Sequence, residues 1–152
     1  MVYTTEIIVK VPLKTFLKKM DNPENMKHWQ RGLVSFEHVS GIPGEYGSKM
    51  KLNFNIGKRN MELMQTITKR HFPHEFHASY ASKGVSNSQE NYFEETPEGY
   101  TKWTSKSEYI TLSLPMKLFM VFMKSAFKKQ SLQYMKDFKN FAENGISVNH
   151  AT

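Results

Sequence analysis

Hydrophobic and polar positions change period several times along the 152-residue chain, and each change marks an element. From residue 2 to 10 the pattern alternates, with Tyr3, Thr5, Ile7 and Val9 on one face, as a strand requires. Pro12 opens a helical pattern in which Leu13, Phe16, Leu17 and Met20 recur at three- and four-residue spacing until Asp21-Asn22-Pro23 stops it. A second short helix over 23–30 buries Met26 and Trp29. Residues 33–39 read as a strand, followed by the turn-forming run Ser40-Gly41-Ile42-Pro43-Gly44-Glu45-Tyr46-Gly47. Met50, Leu52, Phe54 and Ile56 alternate with Lys49, Lys51, Asn53 and Asn55, so this strand turns one face to a core and the other to water. Gly57-Lys58 leads into residues 60–70, where Met61, Leu63, Gln65 and Ile67 share a side. Strands over 75–84, 88–96 and 100–112, separated by Lys83-Gly84 and Thr96-Pro97-Glu98-Gly99, bring the expected total to seven.

From Leu114-Pro115 to Asn144-Gly145 the period becomes helical, with proline at the entrance and glycine just past the exit. One long amphipathic helix is expected, with Phe119, Phe122, Met123, Ala126, Phe127, Gln130, Tyr134, Phe138 and Phe141 on its apolar stripe and Lys117, Lys124, Lys128, Lys136 and Lys139 largely elsewhere. One apolar sheet face and one apolar helix stripe must pack on each other, which makes an α+β domain over residues 1–145. Residues 146–152 carry no pattern and are expected to form a loose tail.

Composition narrows the class. Hydrophobic residues are 39%, aromatic 13% and charged 23%, the balance of a folded globular domain rather than a disordered chain. The absence of cysteine removes disulfides, thiolate nucleophiles and cysteine-based metal sites. The longest apolar run, Leu118 to Met123, is far short of the roughly 20 residues that a membrane-spanning helix needs. No basic segment followed by an apolar one opens the chain, so no secretory signal is read and the cytoplasm is the expected location.

The formal net charge of +7 suits nucleic acid, an anionic membrane surface or solubility alone. Only Arg31, Arg59 and Arg70 are arginines, whereas bidentate recognition of bases and phosphates favours arginine over dispersed lysine. Specific nucleic-acid binding is therefore not expected. Over half of the excess charge lies in Met116 to Glu143, where six lysines face only Asp137 and Glu143.

Familiar catalytic and metal-binding patterns are missing. Gly47-Ser48-Lys49 reverses the order of a phosphate-binding loop and reads as a turn. His71, His74 and His77 recur every third residue around Pro73, but residues three apart in an extended chain point to opposite sides, which favours an exposed turn over a metal site. Asp21 and Asp137, the only aspartates, sit at a helix break and on the terminal helix, and complete no nucleophilic triad. Acid–base work on a buried ligand would fall to Glu62, Glu108, Tyr80 or Tyr109. Strand parity turns both glutamates away from the apolar face, and the two tyrosines serve equally as core residues. Gln65 and Gln130, amides on apolar faces, either bond within the core or orient a ligand. The ten methionines suit an irregular core and an adaptable pocket alike.

The order of strand, two short helices, six antiparallel strands and one long C-terminal helix resembles the SRPBCC superfamily, also called START-like or birch-pollen-allergen-like. The resemblance runs over about residues 3–143 and rests on the first strand into Val11-Pro12, Asn25-Met26-Lys27-His28-Trp29, Ser40-Gly41-Ile42-Pro43-Gly44 with Gly47-Ser48, and Glu98-Gly99-Tyr100-Thr101-Lys102-Trp103-Thr104. Within it, the chain looks most like the bacterial polyketide-cyclase/dehydrase-like or generic lipid-binding branch. The resemblance implies a helix-grip fold: a seven-stranded curved antiparallel sheet gripping the C-terminal helix, with a cavity between them that takes up a hydrophobic ligand.

Strand parity and the helix stripe select Leu52, Phe54, Leu63, Gln65, Tyr80, Trp103, Met123, Phe127, Gln130 and Tyr134 as the lining of that cavity, with Ser105 and Ser107 leaving space beside Trp103. The leading expectation is a non-catalytic binder of a hydrophobic small molecule or lipid, with no catalytic residue, metal or cofactor. The alternatives are a cyclase- or dehydratase-type enzyme and a protein-interaction module. Membrane contact by Leu114 to Lys129 is a lesser reading, because most of that apolar stripe is expected to close the sheet.

Overall fold

The computed structural model describes residues 1–149. Strand β1 (Val2–Val9) leads into α1 (Leu13–Met20), a single 3-10 turn (Pro23–Asn25) and α2 (Met26–Trp29). Six strands follow, β2 (Leu33–Ser40), β3 (Lys49–Ile56), β4 (Arg59–His71), β5 (Glu75–Ser82), β6 (Val85–Glu95) and β7 (Thr101–Thr111), and then helices α3 (Leu114–Phe122) and α4 (Lys124–Asn144). The strands form one antiparallel sheet in the order β1-β7-β6-β5-β4-β3-β2. The connection through α1 and α2 thus carries the chain from one sheet edge to the other. Register shifts within β2 and between Ile67 and Lys69 of β4 bend the sheet, as bulges do.

Parity sets the inner face. Tyr3, Thr5 and Val9 of β1 are buried opposite Ser107, Ser105 and Thr101 of β7, and Leu52 and Phe54 of β3 are buried at the other side of the sheet. Apolar burial divides into two clusters. The larger joins Val9, Leu13, Phe16, Phe93, Trp103, Met135, Phe138 and Ala142, and so ties α1, the β1 side of the sheet and the C-terminal half of α4 together. Phe16 is its centre, with its ring 4.9 Å from Phe138, 5.3 Å from Phe93 and 5.8 Å from Trp103, in tilted and edge-on arrangements that aromatic pairs prefer. The smaller joins Met26, Leu52 and Phe54, with Leu33, Phe36, Met50, Leu63 and Tyr80 against them. Arg70 fastens the end of α1 to the sheet through two 2.8 Å bonds to the Asp21 carboxylate and one of 3.0 Å to the Gly44 carbonyl.

The C-terminal region departs from the expected single helix. It bends at Met123, whose ψ of 6° separates α3 from α4 while its N–H still reaches the Phe119 carbonyl. No proline or glycine marks the bend, so the residue pattern does not reveal it. The expected apolar stripe is divided by it: Phe119, Phe122, Met123, Ala126 and Gln130 are exposed, Phe127, Tyr134 and Phe141 half-buried, and Phe138 buried. Only Met120 of α3 is buried, so this part of the stripe does not close the sheet. The tail also differs in part. Ile146 to Asn149 have no regular structure, yet the Val148 N–H donates to the His28 carbonyl at 3.0 Å and Ser147 Oγ lies 2.8 Å from His28 Nδ1. The last three residues of the expected loose tail lie outside the described part of the chain.

Candidate binding groove

Between the two apolar clusters the inner face of the sheet is polar. Gln65 of β4, Tyr80 of β5, Asn87 of β6 and Tyr109 of β7 stand in register on four neighbouring strands. Directly opposed residues on such strands hold their Cβ atoms about 5 Å apart, so the four form a continuous row. Beside them run Gln89 opposite Ser107, and Asn91 opposite Ser105. Gln65 Nε2 donates to Tyr80 Oη at 3.2 Å, and Trp103 Nε1 to Asn91 Oδ1 at 2.9 Å. Asn87 is buried, and its Oδ1 has no hydrogen-bond partner among the described residues. A buried acceptor left without a donor carries a desolvation cost that a ligand donor removes.

Helix α4 approaches this face from the β1 side. Tyr3 of β1 donates to the Phe127 carbonyl at 3.3 Å and its hydroxyl lies 2.6 Å from Ser131 Oγ, while the Tyr109 ring sits 5.1 Å from that of Phe127. Burial raises the pKa of Tyr80 and of Tyr134, and burial together with the neighbouring Tyr3 raises that of Tyr109. These phenols stay neutral at physiological pH and serve as hydrogen-bonding groups rather than bases. Glu62 and Glu108 are exposed, on the outer face.

A cleft of about 330 Å³ opens between α4 and the hairpin of β3 and β4, lined by Arg31, Gly32, Asn55, Ile56, Gly57, Gln130, Gln133, Tyr134 and Asp137. Another of about 430 Å³ lies against α1, between Leu13, Leu17, Phe72 and Glu95, with none of the expected lining residues in it.

The ten expected lining residues do not form one wall. Leu52, Phe54, Leu63 and Tyr80 gather in the smaller cluster, with Gln65 bonded to Tyr80. Gln130 and Tyr134 line the cleft beside Arg31, and Phe127 meets Tyr109. Met123 is exposed at the helix bend. Trp103 lies in the larger cluster with Phe16, Trp29 and Phe138 around its ring, so side chains occupy the space expected beside it. Pattern reading did not select Asn87, Gln89 and Asn91, because β6 turns polar residues inward and hydrophobic alternation is silent there. Their parity with Phe93, which lies two residues after Asn91, four after Gln89 and six after Asn87, is the signal that locates them. His71 and His77 both approach Glu75, at 3.8 and 3.5 Å, and no group of three metal-binding side chains occurs among the described residues.

A sheet wrapped on a C-terminal helix, with the two short helices after its first strand, is the helix-grip fold of START-like, birch-pollen-allergen-like proteins. No family model matches the chain, and no curated protein matches its sequence. Solved structures do match. Ara h 8.0201 is similar at a TM-score of 0.75 and 16% identity, over 93% of this chain and 97% of its own. A protein of unknown function from Staphylococcus aureus is similar at 0.72 and 10% identity, over 95% of this chain and 94% of its own. Norcoclaurine synthase from Thalictrum flavum, solved with dopamine and hydroxybenzaldehyde, is similar at 0.69 and 14% identity, over 100% of this chain and 88% of its own. At these identities the likeness is one of fold.

Proposed function

We propose that the chain binds an amphipathic small molecule or lipid, largely hydrophobic with at least one hydrogen-bond donor, between the polar row of the inner sheet face and α4, next to the cleft that Gln130 and Tyr134 line. The observation that carries this reading is the orphaned Oδ1 of Asn87 in a polar row flanked by two apolar clusters. A protein that needed only a core would gain by filling that row with apolar side chains. Leu52, Leu63 and Tyr80 offer apolar contact on one side, Phe127 and Tyr134 on the other, and Gln65, Asn87 and Tyr109 offer polar anchors between them. Binding without catalysis is favoured because the row holds neutral phenols and amides and no carboxylate or imidazole to act as base.

The test is displacement of a fluorescent apolar probe, such as 1-aminoanthracene, by a panel of fatty acids, sterols and aromatic polyketides, alongside native mass spectrometry of the purified protein for a retained ligand. Saturable displacement by a ligand bearing a donor group, weakened roughly tenfold in Asn87→Leu, is expected from the loss of one buried hydrogen bond. No probe uptake and no retained ligand would defeat the proposal. Turnover of a cyclisable ligand by the purified protein would move the reading to the enzyme alternative.

A further inference from the structure

Helix α3 is built unlike the rest of the molecule. Leu114, Leu118, Phe119, Val121 and Phe122 are all exposed, Phe122 by 87%, and only Met120 is buried. At 100° per residue, Val121, Leu114, Leu118, Phe122 and Phe119 cover a continuous arc of about 160°, with Met120 on the opposite side and Lys117 beside one border. Ile110 and Leu112, at the end of β7 leading into the helix, are exposed as well. An apolar surface of this breadth is expensive to leave in water and marks a contact surface.

The charge around it indicates what the contact is. Between Glu108 and Asp137 the chain has no acidic residue and five lysines, Lys117, Lys124, Lys128, Lys129 and Lys136. All five are exposed, and none is in an ion pair among the described residues. We infer that α3 seats the protein on an anionic lipid bilayer, with its apolar arc among the acyl chains and the lysines of α3 and the start of α4 at the headgroups. A bilayer accommodates a wide convex arc because lipid flows around it, and anionic headgroups complement the lysines. A second copy of the chain docked through the same helix would bring two sets of unpaired lysines together. The helix borders the proposed ligand groove, since the Leu112 N–H donates to the Gly84 carbonyl in the turn after β5 and Phe127 meets Tyr109 just beyond α3. The membrane seat nevertheless stands on its own surface and does not depend on a ligand in that groove.

Co-sedimentation with vesicles of phosphatidylcholine, with and without phosphatidylglycerol, tests it. The full chain should partition onto the anionic vesicles and be released as salt rises. Leu118→Glu/Phe122→Glu should lower the partition coefficient at least tenfold by removing the inserted apolar surface. Lys124→Gln/Lys128→Gln should lower it roughly 25-fold, from about fivefold per lysine. All four positions are exposed, so circular dichroism and melting of the variants should match the parent. A Phe122→Trp variant reads insertion directly, because its indole emission should shift to the blue on anionic vesicles while Trp29 and Trp103 stay in the protein interior. Absence of partition at low salt, partition unchanged in Leu118→Glu/Phe122→Glu, or Phe122→Trp emission that stays aqueous would each overturn the inference. So would a dimer in solution that Leu118→Glu/Phe122→Glu splits, with no vesicle binding by either form.

Discussion

Arg31 grips Asp137 with two hydrogen bonds, from Nε to Oδ2 at 2.6 Å and from Nη2 to Oδ1 at 3.1 Å, although Asp137 is 3% exposed and the Arg31 side chain 61%. Gln133 Nε2 completes the carboxylate's partners at 2.9 Å. The pair ties α4 to the loop after α2, at the mouth of the cleft that Gln130 and Tyr134 also line. Its two ends are unequal. Arg31→Ala strands a buried carboxylate, whereas Asp137→Ala frees a guanidinium that water already reaches.

Arg31→Ala should therefore destabilise by about 1–2 kcal/mol, less than breaking a fully buried pair because solvent reaches the arginine. That corresponds to a fall of roughly 2–8 °C in Tm for a domain of this size. Asp137→Ala should cost less. Thermal melts of the two single variants and the double variant check the order, and a larger loss in Asp137→Ala would contradict the account.

Phe16 lies at the meeting point of α1, β6, β7 and α4, fully buried. Phe16→Ala should cost about 3–5 kcal/mol in urea unfolding, because a rigid aromatic cluster cannot collapse into the space left behind. Val39→Ala, on an exposed position of β2, serves as the control and should cost little. A Phe16→Ala loss below about 1 kcal/mol would show that the cluster repacks freely.

Stability should fall in two stages as pH drops. Burial lowers the pKa of His77 below the ordinary 6.5, outweighing the opposing pull of Glu75 and Glu90. The unfolded chain then takes up this proton first, so the contribution is fully present above 6.5 and is lost as pH falls through the depressed folded value. Burial works against ionisation of Glu143, but the Lys10 N–H at 2.7 Å and the Lys139 ammonium at 2.6 Å outweigh it and hold its pKa below 4.5. Its contribution is present above 4.5 and is lost as pH falls through its own folded value. Melting curves taken from neutral to acid pH should show both stages, with the first lost in His77→Phe and the second reduced in Glu143→Gln, where Glu75, also held below 4.5 by Lys69, keeps part of it.

Gly32 has a φ of +83°, and a Cβ there would stand 2.5 Å from the Asn55 carbonyl oxygen, while the Asn55 N–H donates to the Gly32 carbonyl at 2.7 Å. Gly57, at +63°, has open space around the same position. Gly32→Ala should cost about 2–3 kcal/mol and Gly57→Ala about 1 kcal/mol, the difference being the backbone clash. Urea midpoints at unchanged slope measure both. Equal costs would mean that the hairpin moves aside.

Much of the architecture was legible in the chain itself. Strand parity at Tyr3, Thr5 and Val9 and at Leu52 and Phe54, the helix start at Pro12 and the glycine exit at Gly145 are local signals, because side-chain period and backbone dihedrals are set by neighbours within a few residues. Their order was enough to recognise a helix-grip sheet with a C-terminal helix. Which side chains share a space was decided only in three dimensions. Trp103 and Leu52 have the same inward parity, yet the sheet's width puts them in separate clusters. The row Gln65, Tyr80, Asn87 and Tyr109 exists only through cross-strand register, which no single strand encodes. On either side of the bend at Met123, α3 meets β7 and α4 meets β1, and Phe119 and Phe122, expected core residues, lie on the surface. Periodicity reports which residues prefer to leave water. Only the packed chain shows how many of them have found cover.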